Sequence, residues 1–311
     1  MRIGLFISEV SGAQTTVDGL LEAAREAEAL GFHSGWVPHI PWSLDGLTAL
    51  ALAGQVTERI ELGTAVMPTY TRHPMAMAQQ ALSAQAAANG RVVLGIGPSH
   101  QSVIENLYGM SYTKPAAHTR EYVEVLRKAF ECTGMLEYHG EFFDFTSPFI
   151  VPGATPAPIM VAALAPLMLK MAGEISDGTI TYWANERALE EHIVPRISEA
   201  AANVGRETPR IVCGLPIGVC DDGDVGREQA ARIFEAYTAI PTYQRVLARG
   251  GEGTSPADVA AIGTEEEVAT RLQAYAATGP TDLMAAVLGL GADTEERERN
   301  RRRTLDLLAS L

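Results

Sequence analysis

A chain of 311 residues with 38 acidic against 24 basic side chains carries a formal net charge of −14, which argues against nucleic acid or an anionic membrane as partner. Hydrophobic residues at 47% and charged residues at 20% supply an ordinary globular core, and no apolar run approaches the roughly 20 residues needed to cross a bilayer. Cys132, Cys213 and Cys220 are odd in number and lack ligand spacing, so a reduced, cytoplasmic protein without a disulfide or metal framework is expected.

Strand and helix signals alternate along the chain. Arg2–Ile7 reads as a first strand, and Val17–Leu30 as an acidic amphipathic helix stopped by Gly31. His33–Val37 is the second strand, followed by the loop Pro38-His39-Ile40-Pro41-Trp42 and a helix over Leu47–Val56. The next stretch organises the rest. Ile60–Val66 is short, apolar and β-branched enough for a buried strand. Pro68 ends it, and Arg72-His73-Pro74 places a proline where a helix can begin. Good helix formers fill Met75–Ala88, Asn89-Gly90 stops that helix, and Val92–Gly97 is a second buried strand. This is a βαβ unit, and such units imply a parallel sheet. Thr69, Tyr70, Ser99 and His100 lie just past its strand ends, the edge where parallel α/β folds place their ligands.

A short helical segment at Val103–Tyr108 precedes a long helix over Pro115–Cys132. The alternation then breaks for an aromatic, β-prone excursion at Tyr138–Phe145 and a Pro-rich linker at Pro148–Pro158. Strands at Ile159–Ala163, Thr179–Tyr182, Arg210–Val219 and Thr281–Val287 follow, with helices at Leu167–Gly173, Arg187–Asn203, Val225–Ala239, Glu265–Ala277 and Glu295–Leu308. Pro241–Pro256 reads as a Gly-rich connection, mobile or part of a lid. Eight strands, each followed by a helix, predict a single-domain (β/α)8 TIM barrel spanning residues 1–311, with an insertion at about 134–158 after the fourth βα unit. An open doubly wound sheet is the competing architecture.

Four segments, Gly63-Thr64-Ala65-Val66, Arg72-His73-Pro74, Gly90–Gly97 and Ala172–Gly178, together resemble the bacterial luciferase-like family, in its branch of oxidoreductases dependent on the deazaflavin coenzyme F420. The resemblance implies a non-prolyl cis peptide at Ala65–Val66 beneath the cofactor ring, with Met67, Gly97 and Ser99 nearby. It implies that the backbone amides of Ala162-Ala163-Leu164-Ala165-Pro166 hold the cofactor phosphate, although the family usually carries glycine near Leu164 and Ala165. Consecutive N–H groups entering a helix form such an anion site without a lysine. It places His39 near the reacting ring edge, where an imidazole titrating near neutrality can give or take a proton. His100 stands where related sugar-phosphate dehydrogenases have a glutamate acid, so identical substrate chemistry is not implied. Trp42, Tyr70, Tyr108 and Trp183 are expected to wall a mixed apolar and polar substrate space.

The expected function is hydride transfer between coenzyme F420 and a small organic substrate, reducing C=C or C=O or oxidising an alcohol. An FMN-dependent monooxygenase fed by a separate reductase is the alternative, and a barrel that binds cofactor or a partner without turnover is a third. A homodimer is expected from the resemblance, with Tyr138–Phe145 available to such an interface.

Overall fold

The computed structural model describes residues 1–8, 15–251 and 254–311. Eight strands form the frame: β1 (Arg2–Phe6), β2 (Ser34–Val37), β3 (Glu61–Thr64), β4 (Val92–Gly97), β5 (Ile159–Ala162), β6 (Gly178–Tyr182), β7 (Arg210–Val219) and β8 (Asp282–Val287). Each pairs in parallel with the next, and β8 pairs with β1 through Arg2 opposite Asp282 and Leu5 opposite Ala285. The sheet therefore closes into a TIM barrel with helices around it, and the open-sheet alternative falls.

The strands read as unbroken apolar runs because both faces are covered. Every residue of β2 and β4 is buried. Outward side chains join the helices in one large core, while Trp36, Val93, Met160, Ile180, Val212 and Met284 fill the barrel interior. Gly63 makes room for the Trp36 ring, since a Cβ there would lie 2.2 Å from it. At the N-terminal end the interior is sealed by charge. Arg210 Nη2 meets Glu61 Oε1 at 2.5 Å and Asp282 Oδ1 at 2.7 Å, and its guanidinium sits 5.7 Å above the Trp36 ring.

Four expectations need amendment. The third strand does not run unbroken to Val66: it stops at Thr64, the Ala65–Val66 peptide is cis, and pairing resumes as Met67 and Pro68 opposite Ile96 and Gly97. The aromatic excursion is longer than Tyr138–Phe145. It is an antiparallel hairpin of Gly134–His139 with Asp144–Phe149, and Pro148 belongs to its second strand, where a two-stranded ribbon tolerates proline. Pro241–Pro256 is largely helical, over Pro241–Leu247 and from Pro256 to Val259, because Val246 and Leu247 bury themselves inward; residues 252 and 253 lie outside the described residues. A short strand, Ala261–Gly263, extends the sheet beside Ile217–Val219. Among the described residues no helix is long and apolar enough to cross a membrane.

Candidate active site

The C-terminal ends of β2 to β6 carry most of the residues that sequence reasoning singled out. Where β3 breaks, Thr64 replaces the lost ladder: its hydroxyl donates to the Gly95 carbonyl at 2.7 Å and accepts the Gly95 N–H at 2.9 Å. This brings β3 and β4 so close that a Cβ on Gly95 would lie 2.0 Å from the Thr64 carbonyl oxygen. A Cβ on Gly97 would meet Ala162 Cβ at 2.9 Å and Val66 Cγ2 at 3.1 Å. Gly97 and Ala162, with the cis-linked Ala65–Val66 pair beside them through Val66, therefore make a floor of mostly small residues. Met67, expected at the same site, is fully buried; its sulfur packs toward Gly46, so its side chain does not reach this surface.

His39 follows β2 and is mostly covered, with 12% of its side chain exposed. The Gly46 N–H donates to its Nδ1 at 3.3 Å, and Asp45 Oδ2 lies 3.5 Å from the same nitrogen. Glycine is what permits this approach, because a Cβ at residue 46 would be 2.9 Å from the Met67 sulfur. Burial depresses the pKa of His39, Asp45 opposes that, and Arg72 adds to it. A neutral ring accepting at Nδ1 keeps its proton on Nε2. Asp45 is itself fixed: it accepts from Thr48 N at the start of the helix Gly46–Gly54 and from Arg72 Nη2 at 2.8 Å. Arg72 of the Arg-His-Pro motif thus supports His39 through Asp45, a link that sequence spacing of 27 residues did not reveal.

Ser99 and His100 follow β4. Ser99 adopts φ +63°, a left-handed conformation uncommon outside glycine and often found at functional sites. Tyr112, a residue not singled out from sequence, holds it by donating to the Ser99 carbonyl at 3.2 Å. The His100 ring packs edge-on against Tyr243 at 5.2 Å, and burial lowers its pKa. Tyr243 belongs to an aromatic roof with Tyr182 and Tyr237, which reaches Phe6 at the end of β1.

The predicted pocket walls separate in the structure. Trp183 has no exposed surface; it packs behind Tyr182 against Phe234 and cannot meet a ligand from there. Trp42 is 61% exposed on the rim loop. Tyr70 stacks on His118 at 4.1 Å and commits its hydroxyl to the Thr113 carbonyl at 2.5 Å, so it braces the 110–114 loop. Tyr108 is half-buried on the turn after β4. Sequence periodicity reports whether a side chain is covered, but not which neighbour covers it.

After β5, Ala162 to Pro166 lead into the helix Pro166–Ile175, whose first residue is preceded by Ala165 with no side-chain cap. The first amides of a helix lack intrahelical partners, so this entry can hold an anion. Leu164 is half-buried, and Ala165 and Pro166 are exposed. Ala162 both packs against Gly97 and heads this uncapped loop, so the small-residue surface and the free amides adjoin.

Comparison with known proteins identifies relatives over most of the chain. The model of the luciferase-like monooxygenases matches residues 1–282. The 5,10-methylenetetrahydromethanopterin reductase of Methanolobus tindarius is 29% identical over 241 residues, 77% of this chain and 72% of that one. Among solved structures, the coenzyme F420 dependent tetrahydromethanopterin reductase of Methanopyrus kandleri superposes with a TM-score of 0.77 at 19% identity, covering 99% of this chain and 97% of that one. The oxygenating constituent of 3,6-diketocamphane monooxygenase from Pseudomonas putida, in complex with FMN, gives 0.77 at 18%, covering 99% and 96%. Both are likenesses of fold.

Proposed function

Because this chain belongs to the luciferase-like monooxygenase family, an oxidoreductase family, we propose that it is a coenzyme F420-dependent enzyme that transfers a hydride to or from a small organic substrate. The observation that carries the reading is His39, a covered imidazole whose Nδ1 accepts the Gly46 N–H, where Gly46 is bordered by His39 and by Thr64, the residue just before the cis Ala65–Val66 peptide. A relative from Mycobacterium tuberculosis named as a putative coenzyme F420-dependent oxidoreductase, 29% identical over 217 residues, supports the deazaflavin. When bound, deazaflavin supplies a two-electron hydride exchange and does not readily activate oxygen.

The chain's own residues then divide the work. Ala65, Gly97 and Ala162 let a flat ring approach the backbone, and the amides of the Ala162–Pro166 loop, Pro166 itself having none, hold its phosphate together with those of Leu167 and Met168. His39 donates a hydrogen bond from Nε2–H to the oxygen on which negative charge grows, keeping its own proton, and the Gly46 N–H at Nδ1 holds the ring in that tautomer. His100 is a second imidazole at the rim. Tyr182, Tyr237 and Tyr243 exclude water from above. The reading includes a homodimer, for which Met135 and Ile150 of the hairpin region offer exposed apolar surface, and a cytoplasmic location.

An FMN-dependent monooxygenase with a separate reductase is the second reading, since the matching family model is described as luciferase-like monooxygenase and the same amide loop would take the phosphate of FMN. Fluorescence titration of the purified protein with each cofactor separates the two. Saturable micromolar binding of deazaflavin with little affinity for FMN is the expected result. Preference for FMN, with oxygen uptake on addition of reduced FMN, replaces the first reading by the second.

A further inference from the structure

His192 is 2% exposed and lies on a single turn of π-helix, Leu189–Ile193, remote in sequence from every motif above. Such turns recur at functional sites because they displace one side chain from the helical path. Here the side chain reaches the loop after β5. Arg196 Nε donates to His192 Nδ1 at 2.9 Å, and His192 Nε2 meets the Leu164 carbonyl oxygen at 2.9 Å. With a donor at Nδ1, the neutral ring must carry its proton on Nε2, and it donates that proton to Leu164. Burial lowers the pKa of the ring, the bond to Leu164 works against that, and Arg249 and Arg196 add to the lowering.

The consequence follows from peptide geometry. The Leu164–Ala165 bond is trans, since Ala65–Val66 is the one cis bond among the described residues. In a planar trans peptide the C=O and N–H point in opposite directions. Drawing the Leu164 carbonyl inward onto His192 therefore turns the Ala165 N–H outward, on the exposed side of the loop. Pro166 has no N–H, so Ala165 supplies the donor nearest to those of Leu167 and Met168. Without the histidine, nothing in the Ala-Ala-Leu-Ala-Pro sequence selects that peptide orientation.

We propose that His192, itself oriented by Arg196, is a positioning residue that aims the Ala165 amide at the phosphate of the bound cofactor. The inference rests on the reading that this loop holds the phosphate, and the test keeps the two apart. Affinities are measured by fluorescence titration for F420 and for the same deazaflavin lacking its phosphate tail, with FMN and riboflavin as a parallel pair. Wild type is expected to prefer the phosphate-bearing member of the pair that it binds. His192→Leu loses about tenfold in affinity for that member and leaves the phosphate-free one unchanged. His192→Gln, which retains an N–H donor, recovers part of the loss. Arg196→Gln alters an exposed residue, so folding is preserved, and it shifts the imidazole nitrogen signals away from the Nε2–H tautomer seen in wild type by NMR. Equal affinity of wild type for both members of the pair overturns the phosphate-loop reading and this inference with it. A wild-type preference that His192→Leu and Arg196→Gln both retain overturns the inference alone.

Discussion

Gly97 controls how closely β3, β4 and β5 approach at the barrel mouth. Replacement by alanine puts a methyl group 2.9 Å from Ala162 Cβ and 3.1 Å from Val66 Cγ2. Neither contact is the far end of a flexible side chain, so backbone must give, and the expected cost is about 1–3 kcal/mol. Urea denaturation of Gly97→Ala checks this, and unchanged stability would show that the floor is looser than the structure has it. His39 makes a second residue-scale prediction. Asp45 favours the charged imidazolium while burial and Arg72 oppose it, so Asp45→Asn removes the one group holding the pKa up. The histidine's titration midpoint, below 6.5 in wild type, is expected to fall further in the variant when followed by NMR. A rise would mean that Asp45 does not act on His39. The amide still caps Thr48 through its oxygen, so the helix that supplies the Gly46 N–H stays in place.

Elements are joined at the opposite end of the barrel by single side chains that gather several backbone groups. The Glu28 carboxylate accepts from Glu58, Arg59 and Ile60 N–H at 2.6–3.1 Å, fastening the first helix, Val17–Ala29, to the turn before β3. Burial pushes its pKa up, but the three amide donors outweigh that and the net shift is downward. A depressed carboxylate contributes stability that is present above its unfolded pKa and lost as pH falls through the folded value. Glu28→Gln is therefore expected to cost about 1 kcal/mol at pH 7, discounted for solvent exposure, and the difference from wild type should shrink toward pH 3. A gap that stays constant with pH would locate the effect in packing instead of charge. The elements themselves were legible where burial was two-sided: β4, Val-Val-Leu-Gly-Ile-Gly, is apolar throughout because helices cover one face and the barrel interior the other. Legibility failed where tertiary contact overrides local signal. Glycines around residue 250 hid the inward spacing of Tyr243, Val246 and Leu247, and the strand Ala261–Gly263 is too short to show a period. The candidate site was legible as positions at strand ends. Its supporting partners, Asp45 with Arg72, Tyr112 with Ser99 and His192 with Leu164, were not, because each joins residues that only the closed barrel brings together.

The whole molecule is asymmetric along the barrel axis, and that asymmetry separates stability from chemistry. Small residues and covered histidines occupy the C-terminal mouth, whereas the N-terminal end is closed by an ion cluster over Trp36. Asp282 is 1% exposed and meets both Arg210 and Arg2 at 2.7 Å. Arg210 also reaches Glu61, so one guanidinium ties the starts of β3, β7 and β8 together. Removing it leaves the buried carboxylate with Arg2, whose side chain is 44% exposed and correspondingly weaker as a partner. Arg210→Met keeps the stem over the Trp36 ring while deleting the charge. The expected loss is about 3 kcal/mol at neutral pH, seen as a lower urea midpoint. Cofactor affinity should remain that of wild type under native conditions, because the interior layer of Trp36, Val93, Met160, Ile180, Val212 and Met284 lies between this cluster and the mouth. If the Met variant bound cofactor tenfold more weakly while still folded, the two ends would be coupled through that layer and stability would not be separate from binding.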